Sequence, residues 1–221
     1  KMNNLKSLYT YFVNKKESQW IMKWENAQQL YQFIRENPIK RVLDLGTGIG
    51  FSVSVVSLAL KEKKETDYHI DSIEQFDKCI KLANKIIPKE LKDTIIIHKS
   101  EAVVWQKDLI PYQYFSVYDT LPQGDYDLII NDGPAPIMVG ENYLDLPNGT
   151  IMKMLLENQI KPNTFIAFDG RIVSLQLLER YFGDNFYLVK PCNNFNVIQR
   201  KDNSIIFKDE KLEFMKKVGY F

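Results

Sequence analysis

Between residues 42 and 52 the chain reads VLDLGTGIGFS, an apolar run that breaks into three glycines at alternate positions and resumes with Phe51 and Ser52. A stretch suited to a buried strand, a turn that leaves no room for side chains and an apolar continuation suited to a helix together describe the first βα unit of a nucleotide-binding sheet. Few other folds need that order of elements.

The rest of the chain repeats the alternation. Residues 1–37 carry aromatics and aliphatics at helical spacing and stop at Pro38, so a helical extension is predicted there, a candidate lid. Then RVLDLG is followed by a helix over 50–62, YHIDSIE by a helix over 76–87 closed at Pro88, and TIIIHK by a helix over 101–108. YDLIIN, a helix near 150–160, TFIAFDG and a helix over 171–182 complete the series. Strand-like runs rich in Ile, Val and Leu, joined by helices, build a parallel sheet covered on both faces. The tail FYLVKPCNNFNVIQRKDNSIIFKDE changes to short alternating strands and reads as an antiparallel hairpin turning at the polar RKDNS. A single domain is expected, its sheet and binding crevice over 38–221 preceded by the helical extension over 1–37, with no linker that would split it.

Composition removes several function classes. With 221 residues, 45% of them hydrophobic, the chain supports one full core. Lys and Arg number 29 against 28 Asp and Glu, a net charge of +1 that offers no cationic field for nucleic acid or a membrane surface. The longest apolar stretch, residues 51–60, is about half of the ~20 needed to span a bilayer. Cys79 and Cys192 lie far apart without metal-ligand spacing and are expected to be free thiols in a reducing, cytoplasmic setting. His69 and His98 fall inside strand-like runs and read as satisfied strand residues; Trp20, Trp24 and Trp105 read as core.

The glycine spacing narrows the ligand. A dinucleotide fingerprint requires G-x-G-x-x-G, and here Phe51 stands where its third glycine belongs. No Gly-Lys-Ser/Thr follows, which excludes a P-loop. What remains is a turn of backbone N–H groups at a helix N-terminus. Glu74 ends the second strand-like run, on the same sheet edge, where a carboxylate accepts from both hydroxyls of a ribose. Two further carboxylates end later strands: YDLIINDGPAP closes in Asn131 and Asp132, and TFIAFDGR in Asp169, Gly170 and Arg171. Acids at that edge can hold a substrate hydroxyl, take its proton or bind a divalent cation. Asp132 is also suited to bridging the turn, and Asp169 to capping the next helix.

With LDLGTGIG followed by Glu74, the chain resembles the class I S-adenosylmethionine-dependent methyltransferases over residues 41 to about 208. The strand-four and strand-five acids are similar to those of small-molecule O-methyltransferases of the catechol type. The resemblance implies an α/β fold: a doubly wound, seven-strand, mostly parallel Rossmann-like sheet with an antiparallel C-terminal hairpin, plus the N-terminal helices. It implies S-adenosylmethionine as cofactor, contacted by Asp44, Gly46, Thr47, Gly48, Gly50 and Ser52 of the turn. Glu74 and Gln75 would follow after the second strand, Ser100 and Glu101 after the third, and Asn131 after the fourth. Asp132, Asp169 and Arg171 are the candidate catalytic residues, acting on an oxygen of a small-molecule acceptor. Some such enzymes bind magnesium through an aspartate after strand four and an Asp-Asn pair after strand five. Here Gly170 stands at the asparagine position, which leaves the metal open. A homodimer is left open, and neither a membrane nor a nucleic-acid partner is expected; NDGP lacks the second proline and the stacking aromatic of amino-methylating nucleic-acid enzymes. Two other readings are an aminopropyltransferase, loosely similar around residues 126–142 but lacking its second aspartate, and a non-catalytic partner subunit that keeps the cofactor pocket.

Overall fold

A computed structural model describes residues 4–18, 21–108, 110, 113–139, 142–190 and 195–208. In chain order the elements are α1 (Leu5–Val13), α2 (Trp24–Glu36), β1 (Arg41–Leu45), α3 (Phe51–Glu62), β2 (His69–Glu74), α4 (Asp77–Ile86), α5 (Lys89–Lys92) and β3 (Ile95–Lys99). They continue with β4 (Ala102–Trp105), β5 (Phe115–Tyr118), β6 (Leu128–Asn131), β7 (Ile137–Val139), β8 (Asn142–Leu144), α6 (Thr150–Leu156), β9 (Phe165–Asp169), α7 (Ile172–Phe182), β10 (Phe186–Lys190) and β11 (Phe195–Arg200).

Seven strands form one sheet in the order β10-β11-β9-β6-β1-β2-β3. β1 pairs in parallel with β2 and β6, and only β11 runs against its neighbours β9 and β10. The chain winds outward from β1 to β3, then returns to the other side of β1 and winds to β9. Loops after β1 and β6 therefore diverge at the carboxyl edge and open a crevice between them, the place where doubly wound sheets bind ligands. The expected seven-strand, mostly parallel fold is present.

Alternation along the strands assigns side chains to the two faces. Val42, Leu128, Ile130 and Ala167 pack with residues of α1, α2 and α3. Leu43, Leu45, Ile129, Ile166 and Phe168 pack on the other side with α6 and α7. α3 lies between the sheet and the N-terminal helices and is buried from Phe51 to Leu60. Its serines stay satisfied there: Ser54 Oγ donates to the Gly50 carbonyl (2.6 Å) and Ser57 Oγ to the Leu91 carbonyl (2.9 Å). α1 and α2 place Leu8, Phe12, Leu30 and Ile34 in that same core, and the Tyr9 ring meets Trp24 and Phe51 at 5.0 and 5.7 Å.

Two expectations fail. Residues 101–108 hold no helix: Ala102–Trp105 is a strand, paired antiparallel with β5 so that Trp105 faces Phe115. The periodicity of AVVW is two, with Val104 exposed and Val103 and Trp105 packed on the core, as suits β-branched and aromatic residues. The C-terminal hairpin exists, but it does not turn at RKDNS. β10 and β11 are joined through residues 191–194, which lie outside the described residues together with Cys192. RKDNS starts at Arg200, the last residue of β11, and runs on beyond the strand, where the Asp202 side chain accepts from the Ser204 backbone N–H (2.8 Å). Residues 205–207 then pack as irregular chain, with Ile206 exchanging hydrogen bonds with the Asn185 side chain. Trp20 also lies outside the described residues. The helix expected near 150–160 ends at Leu156.

Candidate active site

The glycine turn is shaped by contact with the opposite half of the sheet. Gly46 has φ +117°, and a Cβ there would fall 2.8 Å from the Gly133 backbone nitrogen, so only glycine lets the loops after β1 and β6 touch. Gly50, at φ +89°, opens α3 against Ile87, whose side chain would overlap any Cβ. Between them the Gly48 N–H donates to Glu74 Oε2 (2.8 Å), while Glu74 Oε1 accepts from the Phe76 N–H (2.9 Å). Backbone donors thus fix the carboxylate at the crevice wall, and each oxygen keeps a lone pair for a ligand hydroxyl. Burial raises the Glu74 pKa and these N–H groups hold it back.

Asp44 lies beneath the turn. Its carboxyl is fully buried; Oδ2 accepts from Ser52 Oγ (3.0 Å) and Ser72 Oγ (2.7 Å), and Oδ1 has no partner among the described residues. Desolvation pushes its pKa up to about 8. Thr47 Oγ1 joins the same cluster through Ser72 Oγ at 2.6 Å. These groups support the turn from below rather than lining the crevice.

The crevice has a volume of about 430 Å³. Gly46, Gly48, Glu74, Asp132 and Arg171 line it together, as the sequence suggested, with Ile49, Phe76 and Leu82 as an apolar wall. Asp132 is 34% exposed; its Oδ1 lies 3.4 Å from Arg171 Nε, and withdrawal from water pushes its pKa up to about 6, against the pull of the guanidinium.

Other candidates are elsewhere. Gln75 Oε1 accepts from the Ala135 N–H (2.9 Å) and ties the loop after β6 to β2. Ser100 is buried and its Oγ accepts from the Thr120 N–H (3.1 Å). Glu101 is 70% exposed and pairs with Lys99 at 2.9 Å. Asn131 is buried under the edge, with its Oδ1 accepting from Asn148 Nδ2 at 2.7 Å. Asn148 in turn accepts from the Thr150 N–H (2.8 Å) at the start of α6.

Asp169 is not a helix cap: α7 starts without a side-chain cap. It accepts instead from Asn26 Nδ2 of α2 at 2.5 Å. Burial raises the Asp169 pKa, and Asn26, Arg171 and Lys23 oppose that shift. The sequence carries a signal that Asn26 needs a buried partner, but not which one. Asn26 stands on the apolar face of α2 with Ala27, Leu30, Phe33 and Ile34, and a polar residue on a buried stripe needs a partner. Tyr118 and Cys79, two further wall residues, give no such signal; Cys79 is a free thiol. The two histidines share one carboxylate, Asp71, through His98 Nε2 at 2.6 Å and His69 Nε2 at 3.2 Å.

The cradle of glycine turn, bidentate acid and apolar wall fits a nucleoside with a charged tail. Arg171 faces Asp132, and Asn26 donates its amide to Asp169, where Gly170 stands at the position of the expected asparagine. Among the described residues no group of three or more His, Cys, Asp or Glu side chains could hold a metal ion.

No family model matches the chain, and no curated protein does. Solved structures share its fold. A methyltransferase of Podospora anserina bound to S-adenosylhomocysteine aligns with a TM-score of 0.57 at 15% identity, over 89% of this chain and 87% of that one. The O-methyltransferase of tomaymycin synthesis from Streptomyces achromogenes, in complex with S-adenosylmethionine, aligns with a TM-score of 0.55 at 12% identity over 88% and 89%. An S-adenosylmethionine-dependent O-methyltransferase from Thermotoga maritima aligns with a TM-score of 0.57 at 15% identity over 92% and 73%. The fold is that of the class I S-adenosylmethionine-dependent methyltransferases.

Proposed function

We propose that this chain transfers the methyl group of S-adenosylmethionine to an oxygen of a small-molecule acceptor. One observation carries the reading. Glu74, oriented by two backbone N–H groups, and the Asp132–Arg171 pair line one crevice at the switch point of the sheet. The ligands of the Podospora and Streptomyces structures agree with it.

When bound, the cofactor supplies a methyl group made electrophilic by its sulfonium. Glu74 would hold the ribose, and Ile49, Phe76 and Leu82 would cover the base with an apolar surface. The turn from Gly46 to Gly50 presents the backbone to the rest of the molecule. At the other end of the crevice Asp132 accepts the proton of the acceptor hydroxyl. A carboxylate whose pKa lies near 6 is ionised at neutral pH yet retains more basicity than an ordinary aspartate. Arg171 then faces the oxygen as negative charge develops on it. Asp169, held by Asn26, flanks this region, which makes the N-terminal helices a wall of the acceptor site. A crevice of about 430 Å³ suits a nucleoside-sized ligand with a small acceptor, not a polymer. No helix among the described residues is long and apolar enough to cross a membrane. A cytoplasmic location belongs to the proposal on the cysteine argument alone.

The test is calorimetric titration with S-adenosylhomocysteine, followed by transfer of a labelled methyl group to a pool of hydroxylated metabolites and identification of the product. Binding together with a methyl ether or ester product is expected. No binding overturns the cofactor assignment. Binding without transfer to any acceptor favours the partner-subunit reading, and binding of decarboxylated S-adenosylmethionine alone favours aminopropyl transfer.

A further inference from the structure

The β4–β5 hairpin occupies the place where a helix was expected, and it delivers a side chain to the crevice. Tyr118 is the last residue of β5, paired with Ala102. It is 1% exposed and packs in the core with Phe115 and Val117. Its hydroxyl has no hydrogen-bond partner among the described residues and keeps an opening onto the crevice that Tyr118 lines. It stands against Gly133, where a Cβ would collide with it, and thus beside the contact of Gly46 with Gly133. Lys153 Nζ holds the backbone from outside by donating to the carbonyls of Tyr118 (3.0 Å) and Asp119 (2.9 Å). Thr120, two residues beyond Tyr118, is tied to Ser100 Oγ.

A buried hydroxyl that meets no protein acceptor gains most when a ligand supplies one. Burial and the surrounding carboxylates keep the proton on this phenol, so it is a donor. Building on the proposed function, we infer that Tyr118 is a further cofactor-binding residue, donating its hydroxyl hydrogen bond to the ligand bound in the crevice.

The experiment compares the parent protein with Tyr118→Phe by calorimetric titration with S-adenosylhomocysteine and with methylthioadenosine, which lacks the amino-acid tail. The variant is expected to bind S-adenosylhomocysteine about threefold to tenfold more weakly, the worth of one neutral hydrogen bond, and an equal loss with methylthioadenosine assigns that bond to the nucleoside half. Its melting temperature without ligand should equal or exceed that of the parent, because no protein hydrogen bond is lost, whereas the upward shift caused by saturating S-adenosylhomocysteine should shrink. A merely structural tyrosine would produce the opposite pattern. Unchanged affinity for S-adenosylhomocysteine overturns the inference. If the parent binds neither ligand, the proposed function fails first and the inference with it.

Discussion

Glu74 and Asp132 face one crevice from opposite walls, and their surroundings give them different work. Glu74 is 5% exposed and immobilised by the Gly48 and Phe76 N–H groups, so it is built to hold rather than to exchange protons. Glu74→Ala should weaken S-adenosylhomocysteine by about 1.5–3 kcal/mol, the usual worth of hydrogen bonds to a charged group. Glu74→Gln, which keeps one acceptor, should lose less; parent-like binding by the alanine variant in calorimetry would remove Glu74 from the ribose. Asp132 is more open and its pKa is raised to about 6, so turnover should fall as pH falls through about 6 and be level above it. Asp132→Asn should cut turnover by about 10²- to 10⁴-fold and lose that acidic limb, while cofactor affinity stays the same. Normal turnover in the Asp132→Asn variant, together with a sharply lower melting temperature, would make the aspartate a turn residue.

At the level of elements, α2 is where structure and function meet. Its apolar stripe anchors it on α3, and its one buried asparagine reaches Asp169 across 143 positions of sequence. The two roles separate by mutation. Leu30→Ala, at a fully buried position, should lower global stability by about 2–5 kcal/mol in urea unfolding, with a single transition that includes the sheet. A separate early transition would instead mark α1 and α2 as a detachable lid. Asn26→Ala should leave most of that stability in place but lower methyl transfer, because Asp169 loses its donor. The β4–β5 hairpin teaches a related lesson. An acid just ahead of AVVW suggests the start of a helix, yet the partner that makes it a strand, FSVY, arrives only after a further stretch of chain.

Across the whole molecule, two halves of the sheet meet at Gly46 and Gly133. Gly46→Ala combines a strained φ with a backbone collision, so it should cost at least ~1–3 kcal/mol of stability and weaken S-adenosylhomocysteine in the same variant. Loss of one without the other, measured by urea unfolding and calorimetry, would show that the contact does not couple fold to site. The buried Asp44 adds a pH dependence. Its pKa is raised in the folded state, so the folded chain binds a proton that the unfolded chain releases, and stability should decline as pH rises from the ordinary carboxylate range to about 8. Asp44→Asn should flatten that decline in melting temperatures measured across the interval. The strands and helices of the central sheet, the glycine turn and the strand-end positions of Glu74 and the two aspartates were legible in the sequence, because hydrophobic period and glycine spacing are local properties of the chain; the strand at Ala102–Trp105 was not. Tertiary structure alone decided that Asn26 meets Asp169, that Arg171 turns to Asp132, that Ser100 and Glu101 stay out of the crevice and that Tyr118 enters it. Those are contacts between segments far apart in sequence, and no local pattern encodes which distant side chain will arrive when the faces of the sheet are packed.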